Sequence, residues 1–191
     1  MLFPNGGEVI PSGSTYAVRW NASNASKFDV KYSLNNGSTW VAVANKVTGT
    51  SYNWTVPKPL NNKKNCLMKV IAYDAYGNFL DEDTSDSTFT IEVVKVTSPN
   101  GGESWKVYSI HPITWTTNGT KRPIAKVKLF YTKDGGATWN LIRTLIGNPG
   151  SYNWNVPAAA SANCKVKVVL KDANLVTVGS DVSDGFFTIQ P

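Results

Sequence analysis

Few residues in this chain have types and spacing that could do chemistry. Thr132–Trp139 reads Thr-Lys-Asp-Gly-Gly-Ala-Thr-Trp, with the Asp134 carboxylate set between two threonines and followed by two glycines. An aspartate can serve as acid, base or nucleophile, but only beside a second group placed to exchange a proton or hold a substrate. The same pattern occurs earlier as Ser33–Trp40, with Asn35 where Asp134 stands. An amide cannot replace a carboxylate in proton transfer. Both side chains, however, hydrogen-bond to nearby backbone and tolerate the φ angles of tight turns. Asn35-Asn36-Gly37 and Asp134-Gly135-Gly136 are therefore read as hairpin turns, with Trp40 and Trp139 covering the apolar side of each hairpin.

The sulfur and imidazole groups give no constellation either. Cys66 and Cys164 follow Asn in matching contexts, and His111 is the sole histidine. One cysteine per copy excludes a bridge within a copy, and matching interior sites of two separate domains lie beyond disulfide reach. They read as buried thiols packed as small hydrophobes. Metal sites need clustered ligands, and none is expected. The acidic run Asp81–Asp86, with Asp74 and Asn78, offers oxygen ligands of the kind Ca²⁺ takes. It matches no EF-hand spacing and reads as a solvated loop. No nucleophile–base pair, defined carboxylate pair or phosphate loop is present, so no catalytic residue, no cofactor and no enzymatic activity are expected.

Charge points to a surface. The chain of 191 residues carries a formal +6. Residues 1–94 hold 8 Lys/Arg and 8 Asp/Glu, while residues 95–191 hold 11 and 5, so the whole excess lies in the second half. Lys126 and Lys128 alternate along one strand pattern, and Lys165, Lys167 and Lys171 along another. If those strands neighbour each other, five lysines share one sheet face and could attract an acidic polysaccharide. A solubilising face is the competing reading. Trp105, the tryptophan without a counterpart in the other copy, is a candidate sugar platform or a cap on the core. In the first copy Leu67, Ile71 and Tyr73 point to the corresponding face, a candidate protein-contact strip unless the loop at 76–80 covers it.

The elements that must position these residues come from an internal repeat. Pro-Asn-Gly-Gly-Glu occurs at Pro4–Glu8 and at Pro99–Glu103. Ser51–Pro57 returns as Ser151–Pro157, and Phe89–Ile91 as Phe187–Ile189. Six of the seven tryptophans pair in register: Trp20 with Trp115, Trp40 with Trp139, and Trp54 with Trp154. Apolar residues alternate with polar ones at period two, with Gly, Asn, Asp, Ser and Pro between the runs. Strands are expected near Tyr16–Trp20, Phe28–Ser33, Trp40–Ala44, Ser51–Val56, Cys66–Tyr73 and Ser87–Val93, and at matching places in the second copy. The expected architecture is all-β: two tandem Ig-like antiparallel β-sandwich domains, 1–94 and 95–191. The junction Phe89–Glu103 has no Gly/Ser run, so a short, stiff connection and an elongated molecule are expected. The chain opens and closes at equivalent seams, which suggests two units of a longer array. No apolar run is long enough to span a membrane, and no signal peptide is visible.

The Pro-Asn-Gly-Gly-Glu motif, the Asp-Gly-Gly-x-Thr-Trp turn, the Tyr-x-Trp-x-Val-Pro strand and the closing Ser-Asp-x-x-Phe-Thr-Ile together resemble tandem Ig-like, fibronectin-III-like repeats. Such repeats occur in bacterial and archaeal secreted or cell-surface proteins. The chain is also similar to the Ig-like N-terminal domain of yeast Ser/Thr-rich cell-wall glucan-assembly proteins. The resemblance covers nearly the whole chain twice. It implies an extracellular or cell-surface accessory module without catalytic residues. The octapeptide at Thr132 also fits the Asp-box of sialidase propellers, but two copies a hundred residues apart cannot supply the blades of a propeller. The expected function is a non-catalytic structural, spacer or assembly module. Its expected partners are neighbouring domains or chains of a surface assembly. The alternative is a carbohydrate-binding module that takes an acidic polysaccharide on the lysine face; nucleic acid is disfavoured because aromatic residues are sparse there.

Overall fold

Side chains that alternate apolar and polar at period two can bury one face only as strands. The computed structural model describes residues 1–191 and contains seventeen strands and no helix. Its contacts divide into two units. Unit 1 comprises Met1–Pro57 and Lys63–Glu92, and unit 2 comprises Lys58–Asn62 and Val93–Pro191. Val93, Val94 and the five residues Lys58–Asn62 belong to the first copy by repeat but pack with the second. The interval from Trp54 to Cys66 is two residues longer than that from Trp154 to Cys164. Within unit 2, Asn62 accepts the Val93 and Val94 N–H groups at 2.7 and 3.1 Å and donates to the Val94 carbonyl at 2.8 Å.

Unit 1 runs β1 (Val9–Pro11), β2 (Thr15–Arg19), β3 (Lys27–Ser33), β4 (Val41–Val47), β5 (Ser51–Thr55), β6 (Lys63–Tyr73), β7 (Phe79–Thr84) and β8 (Phe89–Glu92). One sheet has the order β1-β8-β6-β3-β4, with β7 also on β6, and the other pairs β2 with β5. Unit 2 runs β9 (Val94–Ser98), β10 (Ser104–Lys106), β11 (Ile110–Thr117), β12 (Lys126–Thr132), β13 (Asn140–Ile146), β14 (Ser151–Asn155), β15 (Ser161–Lys171), β16 (Thr177–Val182) and β17 (Phe187–Gln190). Its sheets are β10-β17-β15-β12-β13, with β16 on β15, and β14-β11-β9. Each unit is an Ig/fibronectin-III-like β-sandwich. Pairing is antiparallel except for β1 with β8 and β10 with β17, which are parallel.

The repeated tryptophans fill the space between the sheets. Trp54 lies 5.3 Å from Tyr32 and 6.1 Å from Phe89, centroid to centroid. Trp154 repeats this against Tyr131 and Phe187. Ile10, Val18, Val30, Cys66, Met68 and Ile91 complete the first core from both sheets. Replacing either aromatic by Ala would cost about 3–5 kcal/mol. Trp20 and Trp115 differ in one respect. The Trp115 indole N–H donates to Asn148 at 2.8 Å, whereas that of Trp20 is buried with no partner. Thr48 occupies the place of Asn148 in the first copy, because Trp20 N bonds Thr50 O as Trp115 N bonds Gly150 O.

The Pro-Asn-Gly-Gly-Glu motif is a clasp. In unit 2 Glu103 accepts the N–H groups of Asn100 and Gly101 at 2.7 and 2.8 Å. This turns the Asn100 amide outward to donate to Asp184 at 2.9 Å and accept the Asp184 N–H at 2.8 Å. Unit 1 repeats every bond with Glu8, Asn5 and Asp86. The clasp draws the entering strand beside the leaving one. Its closest approach requires glycine: a Cβ on Gly101 would meet the Gly185 Cα at 2.9 Å, and one on Gly6 would meet the Ser87 Cβ at 2.5 Å.

The acidic stretch corrects one expectation. Asp81–Thr84 is not loop but part of strand β7, paired with Lys69–Ala72 of β6. Its exposed, charged residues lack the apolar alternation that marks a strand, and only the open edge of β6 gives their backbone a partner. Alternation also sends Asp81 and Asp83 to one side and Glu82 to the other, so the carboxylates do not converge.

Two stability measurements check this account. Gly101→Ala forces a side chain into φ +135° and against backbone, and should destabilise unit 2 by about 3 kcal/mol in urea unfolding. Thr48→Asn supplies the Trp20 indole with an acceptor and should gain about 1 kcal/mol.

Candidate functional site

Strands β12 and β15 lie side by side, and their register gathers the lysines. Lys126 pairs with Lys171, Lys128 with Val169, Phe130 with Lys167, and Thr132 with Lys165. Partners directly opposite share a face, so all five lysines are on the outer face of one sheet. The flanking strands add Ile146, Thr144 and Leu141 from β13 and Val182, Ser180 and Thr177 from β16. No carboxylate stands among these neighbours, and none of the five lysines is ion-paired.

The face holds more aromatic surface than the sequence suggests. The Lys167 ammonium sits 4.0 Å from the Trp139 ring centroid and 5.3 Å from that of Phe130. Lys165 sits 4.9 Å from Phe186 and donates to the Asp184 carbonyl at 3.1 Å. Ring quadrupoles attract the cations, and partial burial lowers the Lys167 pKa from its ordinary value. Lys171 donates to Thr177 at 2.7 Å. Trp40 and Trp139, expected on the apolar side of their hairpins, instead lie with Lys69 and Lys167 on the outer faces, and Phe186, next to the Ser-Asp turn, is given no face by period-two reading. The arrangement repeats: Lys69 lies over Trp40 at 5.0 Å as Lys167 lies over Trp139.

Trp105 is not part of this face. It is 6 % exposed, packed 5.2 Å from Phe187 and stacked on His111 at 4.5 Å with the rings 2° from parallel. The sugar-platform reading fails because neither ring face is open: one meets His111 and the ring also packs into the core. Its counterpart Ile10 is fully buried on the equivalent strand.

The strip in unit 1 is also not open. Ile71 is 8 % exposed, set between Asp29 on β3 and Glu82 on β7. Tyr73 is half-buried and donates its hydroxyl to Asp29 at 2.9 Å. Burial raises the Asp29 pKa, but the Lys46 N–H and the Tyr73 hydroxyl outweigh it and hold the carboxyl below its ordinary value. Leu67 is half-buried beside the Gly37 turn. This face is neutralised by acid–base pairs, Lys69 with Glu82 at 2.6 Å and Lys46 with Asp29 at 3.6 Å. Unit 2 has Lys128 and Ser180 where unit 1 has Asp29 and Glu82.

The remaining reactive groups are held by structure. Thr132 donates to Asp134 at 2.5 Å, and Asp134 accepts the Thr138 N–H at 2.9 Å and the Thr138 hydroxyl. Ser33, Asn35 and Thr39 build the same turn in unit 1. Hydrogen bonds from Thr132 and then Thr138 hold the Asp134 carboxyl well below the usual range. Both cysteines are fully buried. Burial pushes the Cys66 thiol up to about 11 and raises that of Cys164, which leaves little thiolate at neutral pH.

No family model matches the chain, and no curated protein matches it. Among solved structures it is similar to fibronectin(III)-like modules of Clostridium thermocellum CbhA, at 15 % identity and TM-score 0.40, covering 98 % of this chain and 92 % of that one. It is also similar to the FN1–FN3 domains of chicken CNTN1, at 13 % identity and TM-score 0.32, covering 95 % and 66 %. A third is a bacterial ice-binding adhesin of 1.5 MDa, at 15 % identity and TM-score 0.28, covering 96 % and 61 %. The fold assignment rests on the strand order and register above.

The Asp134 turn has a pH signature. Its folded pKa is depressed, so its contribution is complete above the ordinary aspartate value of about 4 and is lost as pH falls below that toward the folded value. Unfolding followed from about pH 5 to 2 should show a steeper loss for the unchanged protein than for Asp134→Asn. Equal slopes would mean that the carboxylate adds nothing to the turn.

Proposed function

We propose that this chain is a non-catalytic structural module, a spacer or assembly element of an extracellular or cell-surface protein. The observation that supports this most is the parallel pairing of β1 with β8 and of β10 with β17, locked by a clasp in each unit. In unit 1 the chain runs from β1 to its parallel neighbour β8, and in unit 2, after β9, from β10 to its parallel neighbour β17. Tension along the chain therefore loads those backbone hydrogen bonds together in shear rather than one after another. The resemblance to bacterial and archaeal surface repeats points the same way. Asp134, the two thiols and His111 are each committed to a turn, a core or a stack, which fits a chain without a reaction to perform.

A second reading has its own support. The outer face of β12 and β15 combines five lysines, three aromatic rings and no carboxylate, which suits an acidic polysaccharide. Lysines would meet uronate or sulfate groups, and Trp139 and Phe130 would pack against the sugar rings.

Single-molecule pulling from the two ends tests the first reading. Two discrete unfolding events are expected, each releasing about 30 nm at roughly 3.5 Å per residue. Smooth extension without events would contradict a spacer that resists tension. For the second reading, retention on an acidic polysaccharide should fall with salt and disappear when Lys126, Lys128, Lys165, Lys167 and Lys171 are changed to Gln. Unchanged retention in that variant would remove the face as a binding site.

A further inference from the structure

The clasp carries a chemical liability. Asn-Gly occurs at Asn5, Asn36, Asn100 and Asn118, and Asp-Gly at Asp134 and Asp184. Such pairs rearrange without an enzyme. The glycine nitrogen loses its proton and attacks the Cγ of the preceding side chain, which it can reach because glycine has no Cβ in the way. At an asparagine the new N–C bond expels the side-chain nitrogen as ammonia and closes a succinimide. Water then opens either carbonyl of that ring, which leaves aspartate or isoaspartate in place of the asparagine.

Solvent exclusion does not protect the clasp from this reaction, since Gly101 is exposed and Asn100 only half-buried. The glycine N–H groups are engaged instead. That of Gly37 donates to the Ser33 hydroxyl at 2.9 Å, that of Gly135 to the Asn163 carbonyl at 3.0 Å, and that of Gly185 to the Asn100 carbonyl at 2.9 Å. Those acceptors are neutral. In the two clasps the acceptor is a carboxylate: Gly6 N–H donates to Glu8 and Gly101 N–H to Glu103, each at 2.8 Å. The other oxygen of each carboxylate accepts the N–H of the asparagine itself. A carboxylate is far too weak a base to take an amide proton. It opposes the loss of that proton, because the anionic nitrogen would face a negative oxygen and forfeit a charge-assisted hydrogen bond.

We propose that Asn5 and Asn100 are latent deamidation sites, each kept unreacted by the glutamate of its own Pro-Asn-Gly-Gly-Glu motif. The product would undo the clasp. The Asn100 Nδ2 donates to Asp184, and it is the atom lost as ammonia. An aspartate in its place sets two carboxylates against each other. Isoaspartate also adds a methylene to the backbone, beside the close approach of Gly101 to Gly185. Asn5 and Asp86 stand in the same relation in unit 1. The loss of ammonia makes the change irreversible. The glutamate thus sets the chemical lifetime of the clasp, a role that goes beyond the structural-module reading and does not depend on it.

The experiment incubates the full chain at neutral pH beside Glu103→Gln and Asp184→Ala, and follows aspartate and isoaspartate at position 100 by peptide mapping with mass spectrometry. Both variants remove clasp bonds, but only Glu103→Gln takes the charge away from the Gly101 N–H. Asn100 should convert about tenfold faster in Glu103→Gln than in the unchanged chain, the factor for one pKa unit at the attacking nitrogen. In Asp184→Ala the rate should stay near that of the unchanged chain, and Asn5, with Glu8 intact, should stay slow in all three. No acceleration in Glu103→Gln would overturn the proposal. The same acceleration in Asp184→Ala would also overturn it, by showing that the closed clasp and not the glutamate protects the site. Should Glu103→Gln fail to fold, Glu8→Gln and Asp86→Ala carry the same test at Asn5.

Discussion

A sandwich that sets an early strand, β1 or β10, beside its last, β8 or β17, must hold two distant parts of the chain in register, and here the clasp between Pro-Asn-Gly-Gly-Glu and the Ser-Asp turn does this. Glu8 and Glu103 consume the N–H groups of their own turns, which frees Asn5 and Asn100 to bridge to Asp86 and Asp184. The sequence separation is 81 residues in one unit and 84 in the other. Closing so long a loop is costly in entropy, and a few charge-assisted hydrogen bonds offset it only if the strands behind them pack. Ser85 and Ser183 extend the clasp inward, each accepting a backbone N–H of the central strand, from Met68 and Val166. The clasp, the parallel strand pair and the core under it thus form one cooperative assembly.

Around that common frame the two units diverge where function can act. The inner positions differ by conservative exchanges, Phe28 for Val127 or Met68 for Val166. The outer face goes from neutral to basic instead: Asp29 and Glu82 in unit 1 become Lys128 and Ser180 in unit 2, and Leu67 and Tyr73 become Lys165 and Lys171. One fold therefore presents a neutral, internally paired face in one unit and a basic, aromatic one in the other.

Much of this was legible in the sequence, for identifiable reasons. Period-two alternation and the repeated tryptophans gave the strands and the core, because burial leaves a regular mark on residue type. Trp105 was legible only in part: the sequence left it as a sugar platform or a cap on the core, and its burial against Phe187 and His111 needed the fold. The clasp was visible as repeated letters, but not as a contact, since side-chain bonds across 80 residues leave no periodic signal. β7 was hidden because a strand with charged residues on both sides carries no alternation. The basic face emerged from alternation along two strands, whereas Trp139 and Phe186, set in turns, needed the fold to bring them to it. The departure of Lys58–Asn62 to unit 2 had one faint sign, an interval two residues longer than its counterpart.

The central claim is that the clasp organises a whole unit rather than tidying one turn. Native-state hydrogen exchange in Asn5→Ala tests it most directly. If the clasp holds the sandwich together, protection should fall together across β1, β8 and β6, by about the same free energy at each amide. Loss confined to residues 4–8 and 85–88, with β6 and β8 as protected as before, would show the clasp to be a local turn and contradict the account.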